Sequence, residues 1–163
     1  MLKSLLSHAT TTILEEAVYS ELYASHLYKH VANQCQRVGL LGAASFFRKE
    51  SADELEHYQK WADYLNDRGG LVLLPELPAI TDSVTDLGGA LTLAYDTEVD
   101  LGEKYSGWYS AILSSDPTTA GYMLQFLDIQ RSSVGEFGDL LTRFALARDN
   151  PAAILMMDEA LGE

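Results

Sequence analysis

The chain has 163 residues, of which 47% are hydrophobic, and its 24 acidic and 11 basic side chains give a formal net charge of −13. The chain has enough apolar residues to form a folded core, so its composition excludes intrinsic disorder. The negative charge argues against nucleic acid or an anionic membrane as partner. A single cysteine excludes an intrachain disulfide, and no apolar run is long enough to cross a bilayer. We therefore expect a soluble cytoplasmic protein. We also expect it to form one domain over 1–163.

Helical periodicity between well-placed turn residues predicts five helices. They cover about 5–36, 39–67, 83–114, 117–147 and 151–161. Pro117 and Pro151 suit the first turn of the helices that they begin, and Asp116 and Asn150 are suitable N-caps. The connection over about 68–82 is much longer than the others. Short, long and short connections predict an all-α four-helix bundle, made of two antiparallel hairpins joined by one crossover, with a short fifth helix.

Each long helix carries an apolar stripe with alternating spacings of three and four residues, which is typical of a face turned toward a bundle core. A polar or acidic group interrupts every stripe near its middle. The interrupting residues are Glu21 in the first helix, Glu50, Glu54 and His57 in the second, Glu98 in the third and Gln130 in the fourth.

Carboxylates in a protein core are unfavourable unless something compensates their charge. The four stripes contain neither Lys nor Arg, so a bound cation is the compensation that remains. Glu54 and His57 are three residues apart and lie on the same helix face, where both can bind one metal. Oxygen and imidazole ligands without thiolate suit iron, manganese or zinc better than copper(I).

Several segments resemble the prokaryotic-type non-haem ferritins, and the resemblance extends over nearly the whole chain. SELYASHLY, which contains Glu21 and Tyr28, resembles the ferritin motif of the first helix. GAASFFRKESADELEHYQKWADYLNDRGG contains Glu54 and His57 where the family has its bridging Glu and its His ligand. YDTEVDLGEKY, FLDIQRSS and the tail NPAAILMMDEAL match the third helix, the fourth helix and the last short helix.

The resemblance implies a ferritin-like fold and a ferroxidase activity. Two Fe(II) ions would bind in each subunit and be bridged by Glu54, with Glu21 and His57 completing the first position. Glu98 would hold the second ion, with Gln130 close by. Dioxygen would oxidise the pair, and the Fe(III) product would be stored as mineral inside the cage.

The role of Tyr28 has two interpretations. Tyr28 lies seven residues from Glu21 on the same face, so it could hydrogen-bond a ligand or supply an electron. The alternative is a core tyrosine whose hydroxyl is satisfied.

An auxiliary iron site is the least supported part of the predicted centre. Many ferritins of this type have further glutamates around the Gln of the fourth helix, but this chain has Ile129, Ser132 and Ser133 there. Only Glu50 and Asp53 remain as candidate auxiliary ligands. Glu50 occupies a stripe position, whereas for Asp53 we favour an ordinary surface acid. We therefore expect such a site to be weak or absent.

The resemblance also implies cofactor and partners. The fourth helix has no second Glu-x-x-His, the second helix has no Met for a haem, and the chain has no Cys-x-x-Cys, so we expect iron without haem. The partner would be the same chain, in a 24-subunit cage built from dimers, with the apolar run 71–74 in the dimer contact. Two alternatives stay open: a non-storage di-metal carboxylate oxidase or peroxidase, and a structural shell like the mini-ferritins.

Overall fold

The computed structural model describes residues 3–163, which form five helices and no strand. The helices are α1 (His8–Arg37), α2 (Leu41–Asp67), α3 (Leu87–Ile112), α4 (Pro117–Ala147) and α5 (Pro151–Leu161). The predicted all-α fold, with its long connection between the second and third helices and its short fifth helix, is confirmed. Of the helices so described, none is both long and apolar enough to span a membrane.

Hydrogen bonds between α1 and α3 fix how the two hairpins pack together. Near the start of α1, Glu16 Oε2 accepts from Trp108 Nε1 at 2.9 Å, late in α3. Further along α1, the Tyr28 hydroxyl donates to Glu98, which lies early in α3. Because residue numbers rise along one helix as they fall along the other, α1 and α3 are antiparallel.

The packing of α2 against α4 follows the same rule. Phe47 stacks on Phe137 with ring centroids 6.2 Å apart, and the Tyr64 hydroxyl lies 2.8 Å from Thr119 Oγ1. Helix α2 is therefore antiparallel to α4, and the middle of each long helix meets the middle of its neighbours.

The apolar core consists of two clusters, one toward each end of the bundle. The Phe47 cluster includes Tyr28 and Phe137, and the Trp61 cluster includes Tyr105 and Phe126. Buried acidic and polar side chains occupy the level between them; they are Glu21, Glu54, Glu98 and Gln130. The bundle therefore has a polar layer in its centre, where each of the four stripes is interrupted.

Two helices begin later than their periodicity predicts, because side chains cap them. Helix α1 begins at His8 rather than near residue 5, where the Ser7 hydroxyl accepts from Thr10 N at 3.1 Å. Helix α3 begins at Leu87 rather than near residue 83, after Asp86 accepts from Gly89 N at 2.8 Å. Capping fixes an end that hydrophobic spacing leaves undefined.

The crossover is attached to α1 at its far end and exposes apolar side chains nearer its start. His30 Nε2 lies 2.8 Å from the carbonyl oxygen of Asp82. Leu71, Leu73 and Leu74 are 70%, 66% and 74% exposed. Such a continuous apolar patch on a protein surface is typical of an interface.

The start of α2 is stabilised by an acid from the end of the chain. Its own N-cap position, Leu40, makes no side-chain capping bond. Instead Asp158 of α5 accepts from Ala43 N at 2.7 Å and from Gly42 N at 3.1 Å. A β-carbon at Gly42 would lie 1.7 Å from the Asp158 carbonyl oxygen, so only glycine permits this contact.

Replacement of Asp158 by alanine is expected to lower the free energy of unfolding by about 1–3 kcal/mol, because two backbone amide donors, one of them buried, lose their acceptor. The measurement is the unfolding midpoint of the metal-free protein. Glu159→Ala, one residue along the same helix and exposed, is the matched control and should leave the midpoint nearly unchanged. Equal midpoints for the two variants would contradict the capping role.

Candidate metal centre

Three of the candidate ligands form a compact group at the centre of the bundle. Glu21 of α1 and Glu54 and His57 of α2 each offer a ligand atom, and these atoms lie within 4.8 Å of one another. His57 Nδ1 lies 3.2 Å from Glu54 Oε2 and 3.6 Å from Glu21 Oε2. Both carboxylates are buried, whereas the His57 side chain is 13% exposed. His57 is therefore the member of the group nearest to solvent.

Glu98 and Gln130 form the other side of the polar layer. The Tyr28 hydroxyl donates to Glu98 Oε1. In the amide orientation that satisfies its neighbours, the Gln130 nitrogen donates to Glu98 Oε2 at 2.8 Å and to the Glu98 carbonyl oxygen at 3.2 Å. Glu98 and Gln130 are both buried, so the amide holds the carboxylate from α4 while the phenol holds it from α1.

Tyr28 was left with two interpretations by the sequence, and its position bears on both. Its side chain is completely buried, and its hydroxyl is satisfied by Glu98. Burial is the main cause that raises the pKa of Tyr28 well above its ordinary value, and the charges of Glu98 and Glu54 add to it. The phenol therefore stays protonated and acts as a donor toward a candidate ligand.

A second phenol, that of Tyr105, contacts the site from α3. The Tyr105 hydroxyl donates to Glu21 Oε1, and it accepts from Trp61 Nε1 at 2.7 Å. Glu21 Oε2, in contrast, is buried without any hydrogen-bond partner. An unpaired buried carboxylate oxygen is costly, and it points to a ligand that supplies positive charge.

Glu54 and Glu98 are driven toward protonation in the metal-free protein. Burial raises the pKa of Glu54 well above its ordinary value, and burial raises that of Glu98 to about 7. Burial alone would lower the pKa of His57, but the neighbouring carboxylates of Glu21 and Glu54 outweigh it and raise the value to about 10. In the metal-free protein, bound protons therefore compensate the carboxylate charge that a metal cation would otherwise compensate.

The donor set fits a hard or borderline divalent metal. Across residues 3–163, no Lys or Arg forms an ion pair with Glu21, Glu54 or Glu98. Carboxylate oxygens and one imidazole nitrogen, with no thiolate nearby, are suitable ligands for Fe(II), Mn(II) or Zn(II). Acidic oxygens approach this layer from three helices, α1, α2 and α3.

The two candidate auxiliary ligands differ in their surroundings. Asp53 is exposed, whereas Glu50 is half-buried. The pKa of Glu50 is raised to about 7, mainly by burial, and the charges of Glu136, Glu98 and Asp53 contribute to the rise. Glu136 was not among the predicted residues, because it lies outside the apolar stripe of α4. An auxiliary iron site at Glu50 and Asp53 stays a prediction.

Comparison with known proteins gives a consistent result across most of the chain. The family model of the ferritin-like domain matches residues 11–147. A bacterial non-haem ferritin of Escherichia coli is 24% identical over 149 residues, which cover 91% of this chain and 90% of that protein. The soma ferritin of Lymnaea stagnalis is 30% identical over 135 residues, which cover 79% and 77% of the two chains.

Solved structures share the fold at lower sequence identity. The open-pore ferritin of the hyperthermophilic archaeon Archaeoglobus fulgidus superposes with a TM-score of 0.92 at 20% identity. The match covers 96% of this chain and 98% of that one. The helices and their connections are therefore arranged as in that protein.

Proposed function

The chain belongs to the ferritin family, and on that basis we propose that it oxidises Fe(II) with O2 at a two-metal centre within each subunit. The Fe(III) product is then stored as mineral inside a multi-subunit cage. The relatives described above, which are ferritins, support this proposal. The observation that carries it is the buried carboxylate layer, in which Glu21 Oε2 has no hydrogen-bond partner and no Lys or Arg forms an ion pair with the three glutamates.

Each candidate ligand has a defined part in this proposal. Glu21 and His57 hold the first Fe(II), and Glu54 bridges to the second. Glu98 holds the second Fe(II) while Gln130 orients its carboxylate from α4. Tyr28 donates to the remaining Glu98 oxygen and so fixes that ligand from the opposite side.

The protein contributes to this reaction mainly by positioning the two Fe(II) ions and balancing their charge. Two Fe(II) substrates held side by side can together give two electrons to one O2 molecule and reduce it to the peroxide level, whereas a single Fe(II) supplies only one electron. Binding of the cations displaces protons from Glu54, Glu98 and His57, because metal ligands must be deprotonated. The surrounding aromatic side chains, among them Phe126 and Phe137, keep bulk water away from the reacting ions.

The assembly that stores the product is expected to be a homo-oligomer, and we expect 24 subunits built from dimers. The exposed leucines of the crossover support a contact between two copies, since a monomer would leave them in water. A shell-like arrangement of the long helices would enclose the mineral. The acidic composition, with a net charge of −13, favours attraction of Fe(II) to the protein.

Storage and oxidation are tested together by size and iron content. The purified protein is measured by light scattering, loaded aerobically with several hundred Fe(II) per assembly, and examined by electron microscopy. A large hollow particle with an electron-dense core supports the proposal. A monomer or dimer that oxidises iron without forming a core would indicate a non-storage di-metal oxidase. A cage without rapid oxidation would indicate a structural shell.

A further inference from the structure

The first and third helices carry the same spacing of acid and phenol. Glu21 and Tyr28 are seven residues apart in α1, and Glu98 and Tyr105 are seven residues apart in α3. Because the two helices are antiparallel, each tyrosine reaches the glutamate of the other helix: Tyr28 donates to Glu98, and Tyr105 donates to Glu21. Both phenols are completely buried. Two equivalent tyrosine–glutamate hydrogen bonds therefore link α1 and α3 across the polar layer.

The bond from Tyr105 has a fixed direction. The indole nitrogen of Trp61 can only donate, and it donates to the Tyr105 oxygen at 2.7 Å. The single proton of the phenol is thereby directed to Glu21 Oε1. A hydrogen-bond chain runs from Trp61 through Tyr105 to Glu21, and it ends on only one of the two carboxylate oxygens.

The other oxygen of Glu21 is left for a different partner. Glu21 Oε2 has no hydrogen bond and lies 3.6 Å from His57 Nδ1. Satisfying Oε1 while Oε2 stays unpaired orients the group, because rotation of the carboxylate would break the bond to the phenol. This is the geometry of a metal ligand held by an outer hydrogen bond.

The rings that form this chain are held firmly by packing. Trp61 stacks on Phe126 with ring centroids 4.4 Å apart, and Tyr105 stacks on the same ring at 5.5 Å. The Tyr105 hydroxyl therefore cannot follow Glu21 if the carboxylate turns away. Phenylalanine at position 105 would preserve the stacking and remove only the hydroxyl.

We infer that Tyr105, fixed by Trp61, is a positioning residue that presents Glu21 Oε2 to the metal shared with Glu54 and His57. The inference rests on the proposed two-metal centre. Tyr105 of α3 orients Glu21 in the same way that Tyr28 of α1 orients Glu98. Tyr105 acts through Glu21, and it is not itself a ligand.

The test is anaerobic titration of the metal-free protein with Co(II), followed by visible absorption, which reports both affinity and coordination geometry without any turnover. Wild type is expected to bind about two Co(II) per subunit. Tyr105→Phe should weaken binding at the Glu21 position about ten- to a hundred-fold and alter its absorption band, while the second position keeps its affinity. Trp61→Phe should give a smaller loss in the same position.

Tyr109→Phe is the matched control, since Tyr109 lies one turn further along α3 and packs on the same cluster without a hydrogen bond to the site. It should bind Co(II) as wild type does. Tyr28→Phe should weaken the Glu98 position instead. Unchanged binding by Tyr105→Phe, or an equal loss at both positions together with a lower unfolding midpoint, would overturn the inference. Failure of wild type itself to bind a metal pair would instead overturn the proposed function.

Discussion

Replacement of Glu54 by alanine is expected to slow Fe(II) oxidation at least about a hundred-fold, because the variant loses the one carboxylate proposed to contact both metal ions. The assembled fold should remain. Burial raises the pKa of Glu54 well above its ordinary value, so the buried carboxyl is a destabilising element in the metal-free protein. We therefore expect the variant to unfold at the same temperature as wild type or higher.

Stopped-flow absorbance after mixing the Fe(II)-loaded protein with oxygen measures the first effect, and calorimetry of the metal-free protein measures the second. Glu56→Ala, two residues along α2 and exposed, is the matched control and should oxidise iron at the wild-type rate. Full-speed oxidation by Glu54→Ala would contradict the assignment of the bridging ligand. A large loss of thermal stability would mean that Glu54 supports the fold rather than the site.

The metal-free and metal-loaded proteins are expected to respond to pH in opposite directions. Glu98 has a folded-state pKa of about 7 against an ordinary value of 4.5, so its stabilising contribution is complete below about pH 4.5 and is lost as pH rises through 7. For Glu98 alone the loss is on the order of 3 kcal/mol. His57 acts in the same direction at higher pH, since its contribution is lost as pH rises through about 10.

Divalent metal reverses this trend, because a bound cation replaces the protons and needs deprotonated ligands. Between about pH 5 and pH 8, the unfolding temperature of the metal-free protein should fall, and the increase produced by Co(II) should grow. Glu98→Gln should flatten the decline of the metal-free protein, whereas Glu103→Gln, an exposed acid in the same helix, should leave it intact. A metal-free protein that becomes more stable over this range would contradict the described electrostatics.

The fold and the location of the polar layer could be predicted from the sequence because both depend on helical periodicity. A stripe with spacings of three and four fixes which side of each helix faces the core, so Glu21, Glu54, Glu98 and Gln130 had to point inward once the bundle formed. The Pro and Gly residues fixed the breaks between helices. The crossover of about 68–82 then determined how the two hairpins are connected.

Contacts that depend on how far one helix is shifted along its axis relative to another could not be predicted in this way. Tyr105 meets Glu21 because α1 and α3 are antiparallel and aligned to within one turn, which periodicity alone does not define. The repeated seven-residue spacing of Glu and Tyr was visible in both helices and was the available signal. Asp158 caps α2 from more than a hundred residues away, and no local pattern indicates that bond.

A single titration shows whether the four stripes converge on one site for two iron ions. The protein is loaded anaerobically with increasing Fe(II) and then mixed with oxygen while absorbance is followed. A two-metal centre should give a fast phase whose amplitude saturates at about two irons per subunit. Slow oxidation whose amplitude grows without saturation would contradict the two-metal centre, and the chain would then be a shell without its own oxidation site.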